Sequence, residues 1–251
     1  MRANSPIARI LLDRPKANAF DVDQLAALSQ AFEQVAGVDG LRVVILSAAG
    51  DVAFSAGADL GATGPLAEPG GLARWTDTAR KLLDRIFEFP VPVIAVLRAP
   101  AVGGGFELAL ACHFRVMGSG AHLCLPEVDR GYLPSWGAVE RLAPLIGPAR
   151  VVDLLVSGRR VPSAEALALG LVQSVSDDPD AESLRLAELI AAKPPLAVAA
   201  ALGQVRLAQG AQQAALRALE LADLERLVRT EDTVEGVLSF FEKRTPVFKG
   251  R

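Results

Sequence analysis

The feature that most constrains the fold is an alternation of apolar runs with amphipathic segments over the first two-thirds of the chain. Residues 41–47 are rich in β-branched side chains and residues 91–97 form an apolar run, and such segments are typical of strands buried on both faces. Residues 8–12 predict a further strand, and residues 72–88 return to helical periodicity. This alternation predicts an α/β core.

The first helix has clear limits in the sequence. Asp21 is a predicted N-cap, and Gly37 is the predicted stop. Four apolar residues between them recur on one helical face: Leu25, Leu28, Phe32 and Val35.

The rest of the chain is increasingly helical. A helix is expected over residues 106–112, and short strands are expected around Arg115 and His122. From Pro148 onward the pattern is helical, except for an apolar stretch at residues 171–175.

Composition excludes several classes of protein. Hydrophobic residues make up 51% and charged residues 22% of the 251 residues, which indicates a globular chain. The net charge is -3 and no basic stripe is present, so nucleic acid is not an expected partner. The apolar runs are too short to span a bilayer, and residues 1–6 lack the apolar core of a signal peptide.

The cysteines and histidines are interpreted as structural. Cys112 and Cys124 have apolar neighbours and no CxxC spacing, which indicates reduced core residues and a cytoplasmic location. His113 and His122 lack acidic or thiol neighbours at ligand spacing, so no metal is expected.

The segment Gly103-Gly104-Gly105-Phe106-Glu107 is the first candidate for chemistry. Glycines before a helix bring backbone N–H groups close to a ligand, and the helix dipole favours an anion there. A plain helix-starting turn is the alternative. Glu107 is followed by Leu-Ala-Leu-Ala-Cys, so it either favours the helix N-terminus or serves as a desolvated group for proton transfer.

Glu127 is the second candidate carboxylate, expected at the end of the apolar strand 123–125. Alone it is typical of a surface residue, but with Glu107 it can flank one substrate. Paired carboxylates also serve glycoside hydrolysis, but aromatic residues are only 5% of the chain and leave few surfaces for stacking sugars.

Two small-residue loops complete the pattern. In residues 54–60 the Ala58 amide can approach a carbonyl oxygen, and together with the triple glycine it would form an oxyanion hole. Asp59 is expected to hydrogen-bond within its own loop. The Gly/Pro-rich residues 61–71 are predicted to be mobile and to lie over a binding site.

In this order, these elements resemble the enoyl-CoA hydratase/isomerase (crotonase) family over nearly the whole chain. The matching segments are LDRPKANAF (12–20), AGAD (56–59), GGGFE (103–107), PE (126–127) and a tail comprising EG (235–236), FEKR (241–244) and residues 246–248. Glu107 and Glu127 are 20 residues apart, as in the family's hydratases.

The resemblance implies a spiral of ββα units over residues 1–192 and a helical region, 193–251, that builds homotrimers or hexamers (dimers of trimers). It implies an enoyl-CoA hydratase, a lyase whose substrate is carried as a coenzyme A thioester and which holds no permanently bound cofactor. The thioester carbonyl would lie between the Ala58 and Gly104 amides, Glu107 would activate water, and Glu127 would exchange the α-carbon proton. The implied coenzyme A contacts are Lys16, Ala17, Ala19, Ala56, Asp59, Leu60 and Lys243, with the lysines facing phosphates.

One departure from the family affects the acyl pocket. The family's Pro-Gly-x-Gly-Gly-Thr is replaced by Pro-Ser-Trp-Gly-Ala-Val, in which Ser135 and Trp136 add bulk. Trp136 either reshapes the pocket or points into the core. The candidate pocket residues are Leu72, Trp75, Tyr132, Leu133, Ser135 and Trp136.

Other functions remain open at this point. Isomerisation, decarboxylation and thioester hydrolysis share enolate stabilisation, but two glutamates favour hydration. A non-catalytic, RNA-binding relative is the third possibility, and both the retained carboxylates and the acidic balance argue against it.

Overall fold

The computed structural model describes residues 6–62, 68–209 and 213–247. Three sequence predictions fall partly outside these ranges: the expectation that residues 1–6 are not a signal peptide, the mobility of residues 61–71, and the tail motif that ends at Phe248.

The described chain alternates strands and helices and then becomes entirely helical. The strands are β1 (Ile7–Leu12), β2 (Val43–Ala48), β3 (Val93–Leu97), β4 (Ala101–Val102), β5 (Phe114–Gly118), β6 (His122–Cys124), β7 (Val161–Pro162) and β8 (Ser174–Ser176). The α-helices are α1 (Val22–Ala36), α2 (Gly71–Phe87), α3 (Gly104–Ala111), α4 (Ala138–Ile146), α5 (Pro148–Ser157), α6 (Ser163–Ala168), α7 (Pro179–Ala191), α8 (Pro195–Gln209), α9 (Gln213–Leu227) and α10 (Glu231–Glu242). Within the described ranges, 3₁₀ helices cover Leu60–Ala62 and Glu127–Arg130.

The larger sheet has the order β1-β2-β3-β5-β8, with every pairing parallel. All residues of β2 and β3 are buried, because helices cover both faces of the sheet. One face joins the main core, and the other packs Val43, Ile45 and Ile94 near Ala187 of α7. The prediction of an α/β core is confirmed, and the structure adds that its larger sheet is parallel.

The smaller sheet, β4-β6-β7, sets the position of both candidate carboxylates. β4 and β6 are parallel, with Val102 opposite Cys124, and the Gly103 amide donates to the Cys124 carbonyl at 2.9 Å. The carboxyl ends of parallel strands meet at one edge of a sheet. The segments that carry Glu107 and Glu127 therefore begin side by side.

Local signals located α1 correctly. The Asp21 carboxylate accepts a hydrogen bond from the Gln24 amide at 2.8 Å, and the helix ends at Gly37. Three of the four predicted face residues, Leu25, Leu28 and Phe32, are buried.

Three predictions need correction. The helix expected from Phe106 begins at Gly104, because the flexible glycines themselves take up the first turn. Glu127 does not end a strand; it opens a 3₁₀ helix after β6 has ended at Cys124. The two-residue strand β7 was missed, since only its pairing with β6 defines it.

Among the described residues no single helix is long and apolar enough to cross a membrane; the bent pair Pro179–Ala191 and Pro195–Arg206 meets that criterion only when taken together. The domain division at residue 192 and the oligomerisation role of the C-terminal helices stay predictions.

Candidate active site

The loop before Ala58 lies directly against the start of α3. The Val102 amide donates to the Ser55 carbonyl at 3.0 Å, and Ser55 forms a bridge with Ala101. Gly57 has a φ of 82°, and a Cβ there would lie 2.7 Å from the Gly104 nitrogen. Glycine is therefore required at position 57, both for its backbone conformation and for the close approach.

This contact brings two free amides together. Within the described ranges, neither the Ala58 N–H nor the Gly104 N–H donates to another protein group. Gly104 is the first residue of α3, where the helix dipole adds positive potential. Both residues line one cavity, so the pair can hold an oxygen that gains negative charge.

Glu107 projects from the first turn of α3 and is only 2% exposed. Its Oε1 accepts hydrogen bonds from the Trp136 amide at 2.8 Å and the Ala138 amide at 3.0 Å. Ala138 is the first residue of α4, so Glu107 caps the N-terminus of that helix rather than only favouring its own. Two N–H donors stabilise negative charge on this oxygen and fix its orientation.

Glu127 is also buried, at 6% exposure, but its surroundings differ. Its Oε1 lies close to Gly103, where an added Cβ would approach it to 2.8 Å. Its Oε2 has no hydrogen-bond partner within the described part of the chain. Burial raises the pKa of Glu127 to about 7, against smaller lowering effects from a backbone hydrogen bond and the Arg130 charge.

Both carboxylates line a cavity of about 1080 Å³. All six predicted acyl-pocket residues line it as well: Leu72, Trp75, Tyr132, Leu133, Ser135 and Trp136. So do four of the seven implied coenzyme A contacts: Ala19, Ala56, Asp59 and Leu60. The other three, Lys16, Ala17 and Lys243, are described residues that lie outside the lining.

For Trp136 the sequence left two alternatives, a place in the acyl pocket or a place in the core, and the structure shows features of both. It lines the cavity but is only 3% exposed, and its ring packs edge-to-face with Phe20 and Trp75. A Cβ on Gly104 would lie 2.3 Å from the Trp136 Cζ3 atom. The indole ring therefore lies directly beside one of the two free amides.

Sequence reasoning missed one wall of the cavity, which comes from the C-terminal helices. Its members on α10 are Thr233, Val234, Val237, Leu238, Phe240 and Phe241. This helix packs on the turn after Glu127, and Thr233 Oγ1 donates to the Gly131 carbonyl at 2.8 Å. The family resemblance implied an oligomerisation role for the whole region 193–251, and no contribution of this region to the acyl pocket was predicted.

Asp59 accepts a hydrogen bond from the nearby Gly61 amide at 3.0 Å, which is the local contact that was expected. It also accepts one from the distant Arg14 Nη2 at 2.7 Å. The hydrogen bond from Arg14 lowers the pKa of Asp59. The proposed contact of Asp59 with coenzyme A stays a prediction.

The cysteines are structural, as predicted: Cys112 and Cys124 are free and buried. His113 Nδ1 accepts from the Val93 amide at 3.0 Å, and the ring stacks on Phe87. Burial lowers the pKa of His113 to about 4, so the ring is neutral at physiological pH.

Comparisons with known proteins agree on one family. The family model described as enoyl-CoA hydratase/isomerase matches residues 2–251. Carnitinyl-CoA dehydratase of Salmonella typhi is 39% identical over 262 residues, covering 99% of this chain and 97% of the relative. An enoyl-CoA hydratase structure from Bacillus anthracis is 33% identical, with a TM-score of 0.77, and the match covers 100% of this chain and 98% of that one. An enoyl-CoA hydratase/isomerase structure from Mycobacterium paratuberculosis is 26% identical, with a TM-score of 0.87 and coverage of 95% and 96%.

Proposed function

Because this chain belongs to the enoyl-CoA hydratase/isomerase family of the crotonase superfamily, we propose that it adds water reversibly across the α,β double bond of a coenzyme A thioester. The observation that carries the proposal is the presence of two buried carboxylates and two free amides around one cavity.

The Ala58 and Gly104 amides are the proposed oxyanion hole. The thioester oxygen gains negative charge when a nucleophile adds to the β-carbon, because the electrons move into an enolate. Two fixed N–H donors stabilise that charge without reorganisation. Losing one such donor typically costs about 10²–10³ in rate.

The two glutamates have different proposed roles, in keeping with their different surroundings. Glu107, held by two backbone donors, takes a proton from water as the hydroxyl group bonds to the β-carbon. Glu127, whose pKa is raised to about 7, delivers its proton to the α-carbon. Each step is reversed in dehydration. Such chemistry usually requires one acid and one base, and different surroundings give the two groups different affinities for a proton.

Isomerisation needs only one carboxylate to move a proton, so a second buried carboxylate in the cavity favours water addition. Decarboxylation and thioester hydrolysis would use the same oxyanion hole, and none of the described residues that line the cavity favours either reaction. Lys16 and Lys243 remain proposed phosphate contacts of coenzyme A, and trimers or hexamers remain the proposed assembly.

Dehydration of a carnitinyl thioester is a second candidate, which is the same chemistry on a specific acyl group. Relatives at 39% identity are carnitinyl-CoA dehydratases. The carnitinyl group carries a trimethylammonium cation, and such cations bind aromatic faces. Trp75 and Trp136 line the cavity with ring centroids 5.8 Å apart.

The test measures hydration of crotonyl-CoA, followed by loss of the conjugated-thioester absorbance, and dehydration of carnitinyl-CoA. We expect Glu107→Gln and Glu127→Gln each to lower kcat by about 10²-fold or more, since each removes a proton-transfer group. The exposed Glu188→Gln is the matched control and should leave kcat unchanged. Full activity in both active-site variants would refute the mechanism. Turnover of carnitinyl-CoA alone would assign the second candidate.

A further inference from the structure

A cluster of ion pairs lies between helices α2, α4 and α9, beside the turn that binds Glu107. Arg80 on α2 donates from Nη2 to Glu140 Oε2 on α4 at 2.9 Å, and their side chains are 11% and 2% exposed. Arg141 on α4 pairs with Asp84 on α2 at 2.8 Å and is 6% exposed. Arg217 on α9 contacts both Asp84 and Glu140. The cluster thus joins three helices.

Two arginines of the cluster also make hydrogen bonds outside it, to the turn that contains Ser135 and Trp136. Arg80 Nη1 donates to the Ser135 carbonyl at 3.0 Å, and Arg141 Nη1 donates to the Trp136 carbonyl at 2.9 Å. These carbonyls belong to the turn whose amides hold Glu107.

Arg80 and Glu107 bind opposite ends of a single peptide unit. The Ser135 carbonyl and the Trp136 N–H share one planar peptide group, in which the two bonds point in opposite directions. Arg80 donates to the oxygen of this peptide group, and the N–H of the same group donates to Glu107 Oε1 at 2.8 Å. A cation on the carbonyl polarises the peptide and strengthens the hydrogen bond at the other end.

We infer that Arg80 is a positioning residue that acts through the Ser135–Trp136 peptide to hold the Glu107 carboxylate in its reactive orientation. Glu140 orients Arg80 by binding its second nitrogen. The inference rests on the proposed role of Glu107. A purely structural ion pair would not need these carbonyl contacts, and buried ion pairs are themselves weak evidence for stability.

The first test compares Arg80→Met with Arg80→Lys. We expect Arg80→Met to lower kcat by about 10- to 100-fold with little change in KM, since a small misplacement of a catalytic group has effects of this size. Arg80→Lys should restore part of the loss, because an ammonium group can still donate to the Ser135 carbonyl. Arg85→Met is the control: it removes an ion-paired arginine from the same helix, but one exposed to solvent and bound to Glu33.

The second test separates positioning from folding. In a Glu107→Gln background, Arg80→Met should lower kcat by less than about twofold, because residues that act as one unit are not additive. The double variant Arg80→Met/Glu140→Gln removes both charges of the Arg80–Glu140 pair, while glutamine at position 140 can still accept a hydrogen bond from Arg217. Its kcat should stay as low as that of Arg80→Met, because the cation on the Ser135 carbonyl is still missing.

Three results would overturn the inference: unchanged kcat in Arg80→Met, independent multiplication of the Arg80 and Glu107 effects, or recovery of kcat in the Arg80/Glu140 double variant. A fully active Glu107→Gln would overturn the inference and the proposed acid–base role together. A strongly impaired Glu107→Gln with multiplicative effects would overturn the inference alone.

Discussion

Replacing Glu127 with glutamine should change how the stability of the protein depends on pH. The pKa of this carboxyl group is raised from 4.5 to about 7 by burial. The folded state therefore binds the proton more tightly than the unfolded state does. The stabilisation that follows is complete below pH 4.5 and is lost as the pH rises through about 7. A shift of one pKa unit corresponds to about 1.4 kcal/mol, so the shift from 4.5 to about 7 contributes about 3 kcal/mol to the free energy of unfolding.

The measurement is the free energy of unfolding in urea at pH 4.5 and pH 8, at one protein concentration. The parent should lose about 3 kcal/mol more than Glu127→Gln between these two conditions. Comparing the two proteins cancels the other groups that titrate in this range, His113 among them. Glu188→Gln, at an exposed position, should behave as the parent does. If parent and Glu127→Gln changed in parallel, Glu127 would not be a desolvated carboxyl group, and the reasoning would fail.

Two further predictions concern activity. The kcat/KM for hydration should fall as the pH rises through about 7, because Glu127 then loses the proton that it is proposed to deliver to the α-carbon. The kcat/KM for dehydration should fall in parallel, since the equilibrium constant of the reaction fixes the ratio of the two kcat/KM values. Values of kcat/KM that stay constant between about pH 6 and 8 would contradict this prediction. Gly57→Ala should lower kcat by about 10²-fold, because its Cβ would push the Gly104 amide away. Gly40→Ala is the control, because Gly40 has a similar positive φ but an added Cβ would contact nothing within 4 Å. This variant should keep its kcat, and equal losses of kcat in both variants would contradict the proposed effect on the Gly104 amide.

How much the sequence predicts depends on the range of the interaction. The limits of α1 were predicted because Asp21 and Gly37 act on their own helix ends. The Glu107 and Glu127 segments were predicted to meet because motifs and their spacing match those of a known family. The cap that Glu107 provides for α4 was not predictable, since its donors lie 29 and 31 residues further along the chain.

Long-range packing explains the remaining omissions. Arg80 has no local feature that marks it, and its role follows only from the approach of α2 to the turn before α4. The α10 wall depends on how the last helix folds back onto residues 127–131, which helical periodicity does not reveal. The strand β7 exists only through its pairing with β6.

The contact between Gly57 and the Gly104 nitrogen has a consequence for how such a site can change. The distance between the two amides of the proposed oxyanion hole is determined where main chain meets main chain, without any side chain between them. Substitutions at positions 107 or 127 can then alter the proposed proton transfers while the spacing of the two amides stays the same. A new reaction can arise on this scaffold by exchanging a few side chains around a constant pair of main-chain donors.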